Sequence, residues 1–395
     1  MQQFTESLTA WGQNLSANSV IMMIMMIFMI IGGIDKLRGN KLGYGKEFDE
    51  GFKTMGELVL AVAAIIAIAP FLSKVLEPCV APIAHMIGAD PSVIAGLLLG
   101  ADMGGYPMAS ELAETEALGK FNGLIVASVM GPTITFTIPI AFSMLKIKDR
   151  PFLAAGILAG LVSVPLGCLA GGIAMNLTPY HLSWHDLIFN TLPVAVLAVL
   201  VIAALWIFPN QVIRGFSVVG VGITGMVTIL TIIAVFEQVT GILLPGFASM
   251  AEPDEITGLT GLEKGILVCG EISIVLAGAF PMMKWITDTF GTCFEKIGVR
   301  FQLGRTDCAG MVAGLANILP MLMSLDKMGP KGKLMNLAFA TGSFAVFGDF
   351  LGFTAGVDQE MLVPMILGKV TAGIAALIIA NFMTPKLLEK IESIK

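Results

Sequence analysis

Charge is what this sequence most conspicuously lacks. Only 13% of its 395 residues are Asp, Glu, Lys or Arg, about half the share of a soluble domain. Meanwhile 56% are hydrophobic and the mean hydropathy is +0.86. A chain this apolar cannot keep its surface in water, so lipid has to be the solvent for most of it. Histidine is scarce too, at three residues. His181 and His185 stand four apart before Asp186, a spacing that can hold a metal, but the stretch from Thr178 reads better as an aromatic loop at the membrane interface. No HExxH motif and no nucleophile–base pair occurs at membrane depth, so neither an intramembrane enzyme nor a metal or other cofactor is expected. The five cysteines (Cys79, Cys168, Cys269, Cys293 and Cys308) have no paired spacing and read as small apolar fillers. Residues 1–19 hold no Lys or Arg, so the apolar run from Val20 is expected to remain as a first span rather than be cleaved as a signal. No basic module supports nucleic-acid binding, and loops this short leave no room for a scaffold's soluble appendage.

Glycine (45) and methionine (25) are abundant; the first lets membrane helices approach closely and the second fills irregular gaps. Measured against the ~20 residues that cross a bilayer, apolar runs mark spans at 18–34, 56–73, 121–144, 151–175, 187–208, 213–237, 265–283, 334–356 and 361–383. Two further stretches break in the middle. Residues 91–118 are interrupted at Ala101-Asp-Met-Gly-Gly-Tyr-Pro107, and residues 307–329 at Leu315-Ala-Asn-Ile-Leu-Pro320. If both re-enter as helical hairpins and the N-terminus is outside, nineteen basic residues fall inside and three outside; if both cross, the split drops to thirteen against nine. The positive-inside rule therefore favours an all-α polytopic protein of about nine spans plus two hairpins, N-out and C-in, over eleven spans.

The chain also repeats itself. At an offset of 213, Pro107-Met108 matches Pro320-Met321, Gly119-Lys120 matches Gly332-Lys333, Pro151 matches Pro364 and Gly160 matches Gly373; Gly56-Glu57 matches Gly270-Glu271 at 214. The expected halves are 15–185 and 213–390, joined by a linking span over 186–212. Five crossings separate equivalent points, an odd number, so the halves should be inverted relative to each other. Inverted repeats with matching broken helices are the architecture of secondary transporters. At this size a homodimer is the oligomer to consider.

Several stretches together resemble the EutH family of ethanolamine utilisation membrane proteins. They are Gly32-Gly-Ile-Asp35, Leu99-Gly-Ala-Asp-Met-Gly-Gly-Tyr-Pro107, Gly131-Pro-Thr-Ile-Thr-Phe-Thr-Ile-Pro139 and Gly342-Ser-Phe-Ala-Val-Phe-Gly-Asp-Phe-Leu-Gly-Phe-Thr354. The resemblance covers essentially the whole chain and implies uptake of ethanolamine across a bacterial cytoplasmic membrane, to supply its breakdown. It brings no binding residues with it.

Those come from chemistry. Ethanolamine is mostly a cation near neutral pH, and a cation does not leak through lipid. Its site needs a carboxylate or carbonyls for the ammonium, a polar partner for the hydroxyl, and an aromatic face. Intramembrane acids are expensive and hence candidates. Asp102 sits in the first break beside Tyr106; Asn317 sits in the second. Asp349 lies midway along the span 334–356, with Lys369 as an alternative structural partner. Glu271 lies six residues into its apolar run, and its repeat mate Glu57 nearer the inner surface. Thr133, Thr135 and Thr137, between Pro132 and Pro139, mark an unwound or kinked stretch offering hydroxyls. Glu111, Glu114 and Glu116 read as a solvated face rather than a funnel.

Overall fold

The computed structural model describes residues 2–13, 15–100, 105–133, 137–253 and 257–394. Every regular element among them is helical. Seven helices are long and apolar enough to cross a membrane: Ala17–Leu37, Ala64–Met86, Arg150–Met175, Trp184–Ile207, Arg214–Thr240, Gly261–Thr289 and Gln359–Glu389. This is a multi-pass membrane protein.

After a short amphipathic helix α1 (Gln2–Gln13), Ser16 opens α2 (Ala17–Leu37) through a capping box with Ser19. A tight turn follows, fastened by the Asp35 carboxylate, which accepts the Leu42 and Gly45 N–H groups at 3.0 and 3.1 Å. The turn ends at Gly43, whose φ of +83° belongs to the left-handed region that glycine enters freely. Beyond it, α3 (Tyr44–Leu58) continues through a π-helical stretch, Val59–Ala63, into α4 (Ala64–Met86).

Two pairs of short helices follow the pattern expected of the interrupted stretches. α5 (Ser92–Leu99) packs beside α6 (Gly105–Leu112), and α15 (Arg305–Ala316) packs beside α16 (Ile318–Ser324). Each pair precedes a discontinuous helix. The first runs through α7 (Glu116–Lys120), a π-helical segment Phe121–Val126 and α8 (Ala127–Val129), turns at Met130, and includes α9 (Ile138–Met144) beyond residues 134–136, which are not described. The second comprises α17 (Pro330–Ser343) and α18 (Asp349–Val357). These fall on the expected spans 121–144 and 334–356, neither of which is among the seven long helices.

The remaining rods are α10 (Arg150–Leu161) with α11 (Val164–Met175), then α12 (Trp184–Ile207), α13 (Pro209–Thr240), α14 (Gly261–Arg300) and α19 (Leu362–Ile394). At 40 residues, α14 is about 60 Å long, twice the hydrocarbon thickness. It lies along α3–α4 with Gly51 against Ala277 and Gly265 against Ala63, so the two rods run antiparallel. α19 lies along α10–α11 in the same sense, with Gly167 against Gly368 and Gly171 against Pro364. The buried core is continuous around these two rod pairs and the discontinuous helices. α13 instead turns most of its side chains outward, including Val221, Ile229, Ile232 and Val239, as a lipid-facing helix should.

The glycine contacts are close enough to test. A Cβ at Gly51 would land on the Ala277 backbone, whereas one at Gly56 meets nothing. Gly51→Ala should therefore lose about 1–3 kcal/mol of stability by overpacking. Gly56→Ala should be neutral or gain a few tenths of a kcal/mol or more, up to about 1, through helix propensity. Thermal unfolding of the purified variants in detergent reads both.

Candidate functional site

The sequence places a tyrosine just after the first helix break, a glutamate one-quarter of the way along α14, and a phenylalanine one turn past Asp349. Folding brings the three together. They line a cavity of about 690 Å³ between α4, α6, α14 and α18, whose walls include Tyr106, Ser110, Glu111, Lys264, Glu271 and Phe353. Tyr106 reaches it because Gly123 has no side chain to hold α6 away. Its ring meets Phe353 edge-on, at 6.3 Å and 77°. Gly352 and Gly356 press α18 onto Leu276 and Ile272 of α14, which brings the C-terminal turn of α18 level with Glu271.

Among the described residues, no hydrogen-bond or ion-pair partner engages Glu271, and its side chain is exposed to the cavity. A free carboxylate beside two aromatic rings is what a small organic cation needs. Glu114 and Glu116 line an adjoining recess of about 330 Å³, which shares Tyr106 and Ser110 with the larger cavity. The acidic run after the first break is therefore partly cavity wall rather than only a solvated face.

Asp349 opens α18, one turn before Phe353, and is not part of the cavity wall. Glu57 is its charged neighbour. It forms no ion pair with Lys369 among the described residues; that ammonium is engaged elsewhere. Pro132 has no N–H to offer the Ser128 carbonyl four residues back. Lys369, fully buried on α19, donates to that carbonyl at 2.5 Å. Its Nζ also stands 4.0 Å from the Phe350 ring centre and 5.3 Å from that of Phe344.

The second break is built the same way. Ala345, at φ +53°, turns its N–H to the Gly314 carbonyl at 2.9 Å, and Phe347 donates to Leu315 at 3.0 Å. The tip of the second hairpin is thus hydrogen-bonded to the unwound segment. With Ala345 diverted, the Thr341 carbonyl is left free, and Thr133 donates its hydroxyl proton to it at 2.6 Å. Thr133 therefore joins the two discontinuous helices instead of bonding within its own. Thr137 is also buried, and its hydroxyl has no partner. Asn317 is exposed and caps α16 by accepting the Leu319 N–H at 2.8 Å. Asp102 and Thr135 lie outside the described residues. Of the sequence-derived candidates, the cavity unites Tyr106 and Glu271; Asp349 lies outside it, and Asn317 and Thr133 serve the helix breaks.

Two buried ion pairs escaped the sequence reading. Lys120 pairs with Asp358 at 2.7 Å, and Lys333 pairs with Asp149 at 2.5 Å. The lysines are the repeat-matched ones, 213 residues apart, and each reaches an acid contributed by the other half of the chain. Aromatic rings flank both. Lys120 lies 5.4 Å from Tyr106 and 5.1 Å from Tyr180, and Lys333 lies 5.6 Å from Phe152. Burial, and then its hydrogen bond to Asp358, pushes the Tyr180 phenol up to about 12, so it stays a neutral donor. A second matched element is amide-based. Asn122 binds Ser92 Oγ at 2.8 Å, while Asn336, 214 residues on, binds the Asp307 carbonyl at 2.9 Å. Each ties a hairpin to the discontinuous helix that follows it.

With this geometry in place, comparison with known proteins adds the lineage. The family described as "Ethanolamine utilisation protein, EutH" matches residues 17–383. The chain belongs to the EutH family. A "Probable ethanolamine permease EutH" from Listeria monocytogenes is 42% identical over 378 residues, covering 95% of this chain and 96% of the relative. The Salmonella typhimurium protein of the same description is 38% identical, covering 93% and 96%. Bacillus subtilis YxeR, described as uncharacterized, is 40% identical, covering 94% and 96%. No solved structure matches. The EutH resemblance of the four sequence stretches is thereby established for nearly the full length, and with it an integral membrane protein of a permease family.

Proposed function

We propose that this protein takes up ethanolamine as its cation across the bacterial cytoplasmic membrane, to supply ethanolamine catabolism, and that the ammonium is captured in the cavity walled by Tyr106, Glu271 and Phe353. The observation that carries the reading is the Glu271 carboxylate, unpartnered among the described residues, in a cavity whose wall also holds Tyr106 and Phe353. The naming of relatives as probable ethanolamine permeases supports the choice of amine. From Glu271 the path continues along α18 to Asp349, with the second hairpin tip and Asn317 close by, and Asp102 and Thr135 as the first half's proposed contributors.

The reading includes two inverted halves, 15–185 and 213–390, joined by the α12 segment, with the N-terminus outside and the C-terminus inside. Its support is threefold. The order of long rod, short-helix pair, discontinuous helix and long rod occurs twice. Matched rods run antiparallel. The two lysine–aspartate pairs cross between halves reciprocally. In such a carrier, exchange of conformation between halves exposes one site to opposite sides.

The test is uptake of labelled ethanolamine into proteoliposomes, with protein-free liposomes measuring leak. Neutral amine leaks through lipid and cation does not, so the ratio of protein-mediated to leak uptake should rise as the outside is acidified from neutral. Folded protein that gives no uptake above leak at either pH would refute the reading.

A further inference from the structure

We propose that the junction of the two helix breaks is a primary-ammonium site, which the protein's own Lys369 occupies at rest and which the cargo's ammonium takes over during transport. The second clause rests on the uptake function proposed above; the first does not.

Three features define the site. A fully buried lysine is rare and costly at membrane depth unless something holds it. Here the holders are one backbone carbonyl, freed at Ser128 by Pro132, and two ring faces, Phe350 at 4.0 Å and Phe344 at 5.3 Å. The groups come from different elements: Ser128 from the first discontinuous helix, the phenylalanines from the second, and the lysine from α19. A carbonyl at the end of a half-helix carries the negative end of its dipole, and aromatic faces attract cations. Together they suit an ammonium on an alkyl stem. The other titratable group facing Lys369 among the described residues is the Cys168 thiol of α11.

Ethanolamine's head is chemically the same –CH2–NH3+ group as the end of a lysine. The site stands about one turn of α18 from the cavity, since Phe350 lies three residues before Phe353, which lines it. A cargo ammonium moving inward along α18 would therefore meet a site shaped for it and already filled. Displacing Lys369 would release α19 from both breaks at once. The lysine thus competes with cargo, and its departure loosens the segments that must rearrange.

Two experiments decide this. Lys369→Ala removes Cγ, Cδ, Cε and Nζ, which n-propylammonium matches atom for atom. Millimolar propylammonium should raise the unfolding temperature of the purified variant by about 2–4 °C or more, whereas 1-propanol should not. Equal effects of the two compounds, or none from either, would overturn the ammonium site, and this arm needs no transport. Lys369→Met keeps the stem and removes the charge. Without its internal competitor, its KM for ethanolamine should fall about threefold or more, and its kcat should fall as well. A KM at or above the parental value would overturn displacement by cargo. If Lys369→Ala does not fold, the first arm is read on Lys369→Ser, which leaves nearly the same space. If the parent moves no ethanolamine, the uptake function fails while the propylammonium result still stands for or against the site.

Discussion

Glu271→Gln should lower kcat/KM for ethanolamine about 10- to 100-fold, almost all of it through KM. The expectation follows from what the carboxylate does and does not touch. Among the described residues it has no partner, so removing its charge breaks no ion pair and should leave the fold intact. What disappears is a charge-assisted bond to an ammonium, worth about 1.5–3 kcal/mol, and each 1.4 kcal/mol is about tenfold in affinity. The amide still fits and still accepts a hydrogen bond, so the loss isolates charge from shape. Glu50→Gln makes the control. Among the described residues its side chain pairs with Lys53, on an exposed face of α3, and its replacement should leave uptake within about twofold, since exposed pairs contribute little. Unchanged KM in Glu271→Gln would remove the carboxylate from the site.

The second large effect concerns stability. Lys333→Met leaves the Asp149 carboxylate buried with no cation, and Asp149→Leu strands the lysine. Each should destabilise by about 3–5 kcal/mol, the usual result of halving a buried pair. Replacing both members, as Lys333→Met with Asp149→Leu, should recover most of that loss, because the desolvation penalty of both charges vanishes with them. Lys120→Met and Asp358→Leu should repeat the pattern at the other crossing. Unfolding of the four single and two double variants in detergent gives both double-mutant cycles, and their coupling energies should be alike if the two pairs are structural equivalents. Single variants as stable as the parent would mean that the pairs do not brace the halves.

Much of the architecture was readable from the residues because the bilayer imposes it. Of the nine apolar runs expected to span, seven are long helices, and pairs of short helices stand where the interrupted stretches 91–118 and 307–329 were expected. Pro132, which gives no N–H, predicted the irregularity at Met130 in the first discontinuous helix, while residues 134–136 of the expected unwound or kinked stretch lie outside the described residues. The break in its partner was not foreseen, because nothing in Phe344–Gly348 forbids a helix. There the carbonyls of the hairpin tip capture the Ala345 and Phe347 N–H groups, a tertiary competition invisible to local pattern.

The same division runs through the site. Tyr106 and Glu271 were legible as an aromatic at a break and an acid inside an apolar run. Phe353 was not, since its importance comes from α18 lying level with Glu271 across Gly352 and Gly356. Lys369 was legible as an intramembrane charge and as an alternative partner for Asp349; in the structure it donates to the carbonyl freed by Pro132. The Gly119-Lys120 and Gly332-Lys333 matches were visible as repeats, but their acids, Asp358 and Asp149, are set by contacts between halves that no one-dimensional offset reveals.

The proposed mechanism depends on matched segments entering the membrane from opposite sides. Single cysteines at Lys148 and Arg300, with Lys264 as the opposite-face reference, would be introduced into a cysteine-free background and probed in intact cells with a membrane-impermeant maleimide. Lys148→Cys and Arg300→Cys should both stay unlabelled until the cells are opened, while Lys264→Cys reacts from outside. Labelling of Lys148→Cys and Arg300→Cys from different sides of the membrane would contradict the account.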